Sequence, residues 1–129
     1  MVTRESELER LLIELARDLP EPFWAAIIDN DGLIIACVPQ SPVISIDEIA
    51  AMTVTGTTAA KRISGEIGGG SFRFTTIAGS KRQLFIVAID GKRFLSMGFK
   101  PQVQTNQIFG PLSAKVPEIL KTLKMHFSA

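Results

Sequence analysis

The chain has 129 residues, 46% hydrophobic and 21% charged, enough for one core and too few for a separate catalytic domain beside it. Its 14 Lys and Arg against 13 Asp and Glu leave a formal charge of +1, which gives no general electrostatic pull toward nucleic acid or an anionic membrane. A single Cys and a single His exclude an intramolecular disulfide and an ordinary Cys/His metal centre, and no stretch nears the ~18 to 20 apolar residues of a membrane span.

Leu8, Leu11, Leu12 and Leu15 recur on one face and predict a helix over residues 5–18. Pro20 and Pro22, which lack an amide donor, end it. Residues 23–28 and 33–38 are short apolar runs separated by Asp29, Asn30, Asp31 and Gly32, so they predict a hairpin. The runs are nearly continuous, which predicts a sheet covered on both faces. After Pro39 and Pro42, Asp47 is placed to cap a second helix carrying Ile49, Met52, Ala59, Ala60 and Ile63. Thr53 to Thr58 has weak helix propensity and leaves a strand as a local rival, but Ile49, Met52, Gly56, Ala60 and Ile63 fall near one stripe. Its small residues allow close approach, either to the domain's own sheet or to another helix.

A glycine-rich turn then leads into a strand over residues 71–77, with Phe72, Phe74 and Thr76 alternating. Gly79 to Arg82 turn into the apolar run Leu84 to Ile89, and Asp90 with Gly91 reverses into a third strand over residues 93–99. Pro101 opens a polar connector, and Thr105 or Asn106 precedes a last helix with Ile108, Leu112, Ile119, Leu120, Leu123 and Phe127 on its apolar face. Pro111 is tolerable near the helix start, whereas Pro117 predicts a kink or a break before a shorter terminal helix. The order α-β-β-α-β-β-β-α predicts an α/β sandwich of the α+β class: one domain over residues 1–129, a five-stranded antiparallel sheet with helices on both faces. The acidic amino end has no basic segment followed by an apolar run, so a cytoplasmic protein is the expectation.

Little in the chain points to chemistry of its own. Gly65, Gly68, Gly69 and Gly70 lack the order of a phosphate loop and precede a strand, so they read as a turn into the sheet. Asp29, Asp31, Asp47 and Glu48 fall in two loops without calcium-loop spacing, Cys37 sits in an apolar strand, and His126 has no neighbouring carboxylate or thiol. No catalytic residue, metal or cofactor is expected. Residues 1–60 carry a net charge of −7 and residues 61–129 of +8, which the fold can pair internally. The basic pairs Lys61 with Arg62, Lys81 with Arg82 and Lys92 with Arg93 sit at element ends, where they either solvate the surface or meet an acidic protein. Phe72 and Phe74, without a broad basic surface, do not make a nucleic-acid platform.

From residue 24 to 38 the two apolar strands and the Asp29 to Gly32 turn resemble the opening hairpin of the Roadblock/dynein light-chain family, which includes bacterial roadblock-type regulators of Ras-like GTPases. The resemblance continues through Ile49 to Ile63, Gly68 to Gly70, and the Val87 to Gly91 turn before Phe94 and Leu95, and covers nearly the whole chain. Pro111 and Pro117 are its main departure. It implies a homodimer joined through the middle helix, by Met52, Gly56, Ala59, Ala60 and Ile63, and through the third strand, by Phe72, Phe74 and Thr76. It further implies a regulator or binding platform for a small Ras-like GTPase, or pairing with another roadblock-type protein. The paired helices would face the GTPase's switch elements, and Lys61 and Arg62 would meet an acidic partner. Any part in GTP hydrolysis would be played in trans, since the chain has no nucleotide loop. A dimeric scaffold in a signalling or transport complex, and a small-ligand sensor, are the alternatives.

Overall fold

The structure is a computed structural model that describes residues 2–125; His126 and Phe127 lie outside the described residues. Its elements, in chain order, are α1 (Arg4–Arg17), β1 (Trp24–Asp29), β2 (Ile34–Val38), α2 (Ile46–Glu66), β3 (Phe74–Ala78), β4 (Gln83–Ala88), β5 (Arg93–Phe99) and α3 (Thr105–Lys124). The strands form one antiparallel sheet in the order β2-β1-β5-β4-β3, so the central strand is β5 and the edges are β2 and β3.

Strand periodicity divides the core between the two faces. Ala25 and Ile27 of β1, Leu95, Met97 and Phe99 of β5 and Phe85 of β4 turn to one side. There they meet Leu8, Leu11, Leu12 and Leu15 of α1 and Ile108, Leu112, Ile119 and Leu123 of α3. Trp24, Ala26 and Ile28 turn to the other side, against Cys37 and against Ile49 and Ala50 of α2. Two helices therefore cover one face and a single helix the other, and the run of apolar residues in β1 follows from burial on both.

Local chemistry sets the helix ends. Thr3 and Ser6 form a reciprocal capping box at the start of α1. For α2 the cap is Ser45, whose Oγ accepts from the Glu48 amide at 3.2 Å; Asp47, the expected cap, lies in the first turn, where its charge complements the helix dipole. Within α2 the expected weak stretch is helical throughout. The buried Thr53 and Thr57 hydroxyls donate to the carbonyls of Ile49 and Val54, at 2.7 and 3.1 Å. Gln83 of β4 donates to the carbonyls of Lys100 and Val103 at 3.0 and 2.6 Å, which ties the connector leading to α3 onto the sheet.

Further expectations are corrected, among them that Thr105 or Asn106 precedes the last helix. Of the kink or break expected at Pro117, the break does not occur: α3 is continuous from Thr105 to Lys124, and it starts after Gln104, whose backbone amide donates to Gln107 Oε1 at 2.8 Å. Pro117 removes one intrahelical donor, but Ile108, Leu112, Ile119 and Leu123 are all buried on the sheet side, and that packing holds the helix together across the gap. The third strand begins at Phe74 and not at Ser71. Gly68 and Gly70 take positive φ values of 68° and 79° and turn the chain, and Phe72 folds back to meet Phe94 edge-on at 6.1 Å, leaving it outside β3.

Candidate functional site

Several exposed apolar side chains lie along α2 and on the two faces of β3. Because α2 is alone on its face, its buried residues are few, Ile49, Ala50, Thr53 and Thr57, and much of its 21-residue length looks outward. Met52 is 37% and Ile63 59% exposed; Ala59 is exposed and Ala60 half-buried. Phe74 and Ile77 of β3 add 40% and 54% exposure. Apolar side chains of this size rarely gather on a surface that stays in water.

The expected interface residues do not all share this surface. Gly56 points at the sheet: a Cβ there would lie 3.0 Å from Ile86 Cδ1, so the glycine lets α2 approach β4 of its own chain. Phe74 and Thr76 lie on the α3 side of β3, where Phe74 stacks on Phe85 at 5.7 Å and meets Phe109 edge-on at 4.9 Å. Met52, Ala59 and Ile63 are on the outward part of α2, with Ile77 beneath. Lys61 extends along the sheet with its Nζ 4.8 Å from the Phe94 ring centroid, and Arg62 pairs with Glu66 at 3.2 Å.

Between α2 and the far end of β3 lies an open apolar groove of about 620 Å³, lined by Trp24, Met52, Ala59, Ile77, Arg82 and Leu84. Arg82 rests over the Phe23 ring at 5.1 Å. Sequence reading did not single out Trp24, Ile77, Leu84 or Arg82 as a group. They come from β1 and from the β3–β4 hairpin, and the line along which α2 crosses the sheet decides that they border one groove.

The two sheet edges differ. On β2 the pairing with β1 shifts register between Ile27 and Ile28, and Pro39 follows the strand; a bulge and a proline both discourage further pairing. On β3 the pairing with β4 keeps one register from Phe74 with Val87 to Ala78 with Gln83. The Arg73 carbonyl accepts from the Ala88 amide at 2.8 Å, and the Gly79 amide donates to the Arg82 carbonyl at 2.9 Å. In an antiparallel ladder this directs the odd-numbered residues to β4 and turns the amides and carbonyls of Phe74, Thr76 and Ala78 to the open side. The Thr76 hydroxyl is buried there without a hydrogen-bond partner among the described residues.

Burial pushes the Cys37 thiol up and keeps it neutral, with Sγ 3.5 Å from the Pro39 carbonyl. Among the described residues no three His, Cys, Asp or Glu side chains are placed to hold a metal, and no helix is long and apolar enough to cross a membrane.

Residues 8–97 match the Roadblock/LC7 domain. No match was found among curated protein sequences. Among solved structures, Myxococcus xanthus MglB superposes with a TM-score of 0.81 at 17% identity, covering 92% of this chain and 96% of that one. The gliding protein MglB of Thermus thermophilus gives 0.79 at 14%, covering 95% and 92%. A Roadblock/LC7 domain from Streptomyces avermitilis gives 0.78 at 17%, covering 91% and 98%. At such identities these structures speak for the fold.

Proposed function

The chain belongs to the Roadblock/LC7 domain family, and from that premise we propose that it acts as a homodimer serving as a binding platform for a small Ras-like GTPase and modulating GTP hydrolysis in trans. The observation that carries the dimer is the contrast between edges: β2 is blunted, whereas β3 is in regular register with free backbone groups and apolar side chains on both of its faces. Two β3 edges joined antiparallel would continue the sheet through a two-fold axis and bring the outward faces of two α2 helices together. Met52, Ala59, Ile63, Phe74 and Thr76 then lie at or near the joint. Gly56 supports it from below by setting the height of α2 over β4, and Phe72 lies beside it. The assignment to a GTPase follows the family's role, with Lys61 and Arg62 offered to an acidic partner surface at the carboxyl end of α2.

The edge geometry supplies a selective test. The Thr76 amide points away from β4, so Thr76→Pro removes a donor that the isolated fold does not use while blocking strand addition. Native mass at micromolar concentration is expected to read two copies for the unaltered chain and one for Thr76→Pro. Binding of a GTP-loaded Ras-like GTPase, and any change in its turnover, is expected only with the former. A monomeric unaltered chain overturns the platform. A dimer that binds no GTPase in either nucleotide state removes the GTPase assignment and leaves a scaffold.

A further inference from the structure

A second groove lies on the opposite face of the sheet, at the edge away from β3. It runs between α1 and the end of β2, holds about 590 Å³, and is walled by Ile13, Ala16, Val38 and Pro39 with Ala25 beneath. Ile13 is 45% exposed on its rim, in a helix whose other large aliphatic side chains, Leu8, Leu11, Leu12 and Leu15, are all buried. A single exposed apolar residue is ordinary; the neighbours of this one are not. Glu9 and Arg17 stand one turn before and one turn after it, in the same i±4 row of α1. About 12 Å of helix axis separates them, too much for them to pair with each other. Neither has an ion-pair partner among the described residues, although Glu7, Arg10 and Glu14 of the same helix all do. The other carboxylate of the groove, Glu21, is drawn to Lys100 at 3.7 Å.

The row thus reads acid, aliphatic, base, and it complements its own reverse. Where two such rows pack in opposite directions about a two-fold axis, the Ile13 side chains meet at the axis and each Glu9 meets the Arg17 of the other copy. The groove beside the row gives the facing Ile13 an apolar seat against Ala16, Val38 and Pro39. We infer that α1 carries a second self-association face, on which another copy of this chain packs its own Glu9, Ile13 and Arg17 row. The face uses neither α2 nor β3, so it goes beyond the pairing proposed above and adds to it. A β3-joined dimer presents one such face at each end, and contacts there link dimers end to end. One helix flank is a small area, so the link is weak, with a dissociation constant of the order of 0.5 mM, and it operates where dimers are concentrated in one place.

Sedimentation equilibrium of the full chain from about 0.05 to 1 mM tests this, with circular dichroism checking that each variant is folded. The unaltered chain is expected to grow from two copies to four and more across that range. Ile13→Asp, Glu9→Arg and Arg17→Glu are each expected to weaken the growth by about tenfold or more and so to stay at two. Glu9→Arg alone sets base against base, and Arg17→Glu alone sets acid against acid. In an equimolar mixture of the two, every meeting of unlike chains pairs opposite charges twice, and growth beyond two copies is expected to return. Without β3 pairing the same series would read one copy growing to two, which separates the α1 contact from the β3 one. An unaltered chain whose mass does not grow, or an Ile13→Asp chain that grows equally, overturns the inference and leaves the groove to a different protein. So does a mixture that associates no better than its parts.

Discussion

A Cβ placed at Gly98 would lie 2.4 Å from the Trp24 ring, so the indole lies flat against bare backbone in the middle of the sheet, its Nε1 donating to Ser96 Oγ at 3.3 Å. Gly98→Ala must push the ring aside. We expect a loss of about 2–3 kcal/mol in denaturant unfolding and a red-shifted emission from the single tryptophan; unchanged stability would mean that the ring has room to yield. A second residue effect is electrostatic. Burial pushes the Asp90 carboxyl up, but the Arg93 guanidinium and the amides of Lys92 and Arg93 bond to it and hold it below the usual aspartate range. A carboxylate with a lowered folded pKa stabilises the fold above its ordinary value of about 4 and ceases to do so as the pH falls through the lowered one. Asp90→Asn is accordingly expected to cost about 1 kcal/mol at pH 7, and the gap between variant and unaltered chain to close as the pH falls below the usual aspartate range. A gap that does not change with pH would place the effect in packing. The same pair alters the reading of the Lys92 and Arg93 doublet: Arg93 closes its own turn and is not free to meet a partner.

At the scale of elements, the sequence was legible wherever a period of burial was strong. The Leu8, Leu11, Leu12, Leu15 stripe and the two-sided apolar runs of β1, β4 and β5 led to the helix, the central strands and helical cover on both faces, because burial alone dictates those patterns. Element ends were less legible where tertiary contacts decide. Ser71 to Phe74 alternates like a strand, yet Phe72 is drawn onto Phe94 and the ladder begins later. Pro117 reads as a kink or a break, yet α3 runs on without a break because its buried side outweighs one missing bond. For the candidate site, Met52, Ala59 and Ile63 could be taken from the α2 stripe, whereas Gly56, in the same stripe, serves the chain's own sheet. Its orientation depends on where α2 crosses Ile86, which no local pattern records. The groove was invisible for the same reason, since Trp24, Ile77, Leu84 and Arg82 meet only once the strand order is known.

At the scale of the whole molecule, strand order preserves the charge division of the sequence. The first half supplies α1, β1 and β2 and the second half β5, β4 and β3; neither edge strand carries a charged side chain, but Asp29 and Asp31 flank the β1–β2 turn while Arg73, Lys81 and Arg82 flank β3. Glu14 of α1 with Lys115 of α3, and Glu21 with Lys100 between two loops, both at 3.7 Å, pair the halves and leave most of the asymmetry in place. Joining two chains by β3 would gather the basic edges around the axis and leave the acidic ones outside, which suits an acidic partner seated centrally. It would also make folding a reaction of two molecules, since such a dimer would form only from folded chains. Mass action then stabilises each folded chain by about 0.7 kcal/mol for every tenfold rise in concentration, or about 2 °C in the unfolding midpoint for a domain of this size. The midpoint of the unaltered chain is expected to climb by that amount per decade between roughly 1 and 100 μM, while Thr76→Pro stays level. Two flat lines would mean that β3 ends in water, and that the apolar residues around it answer to some surface other than a second copy.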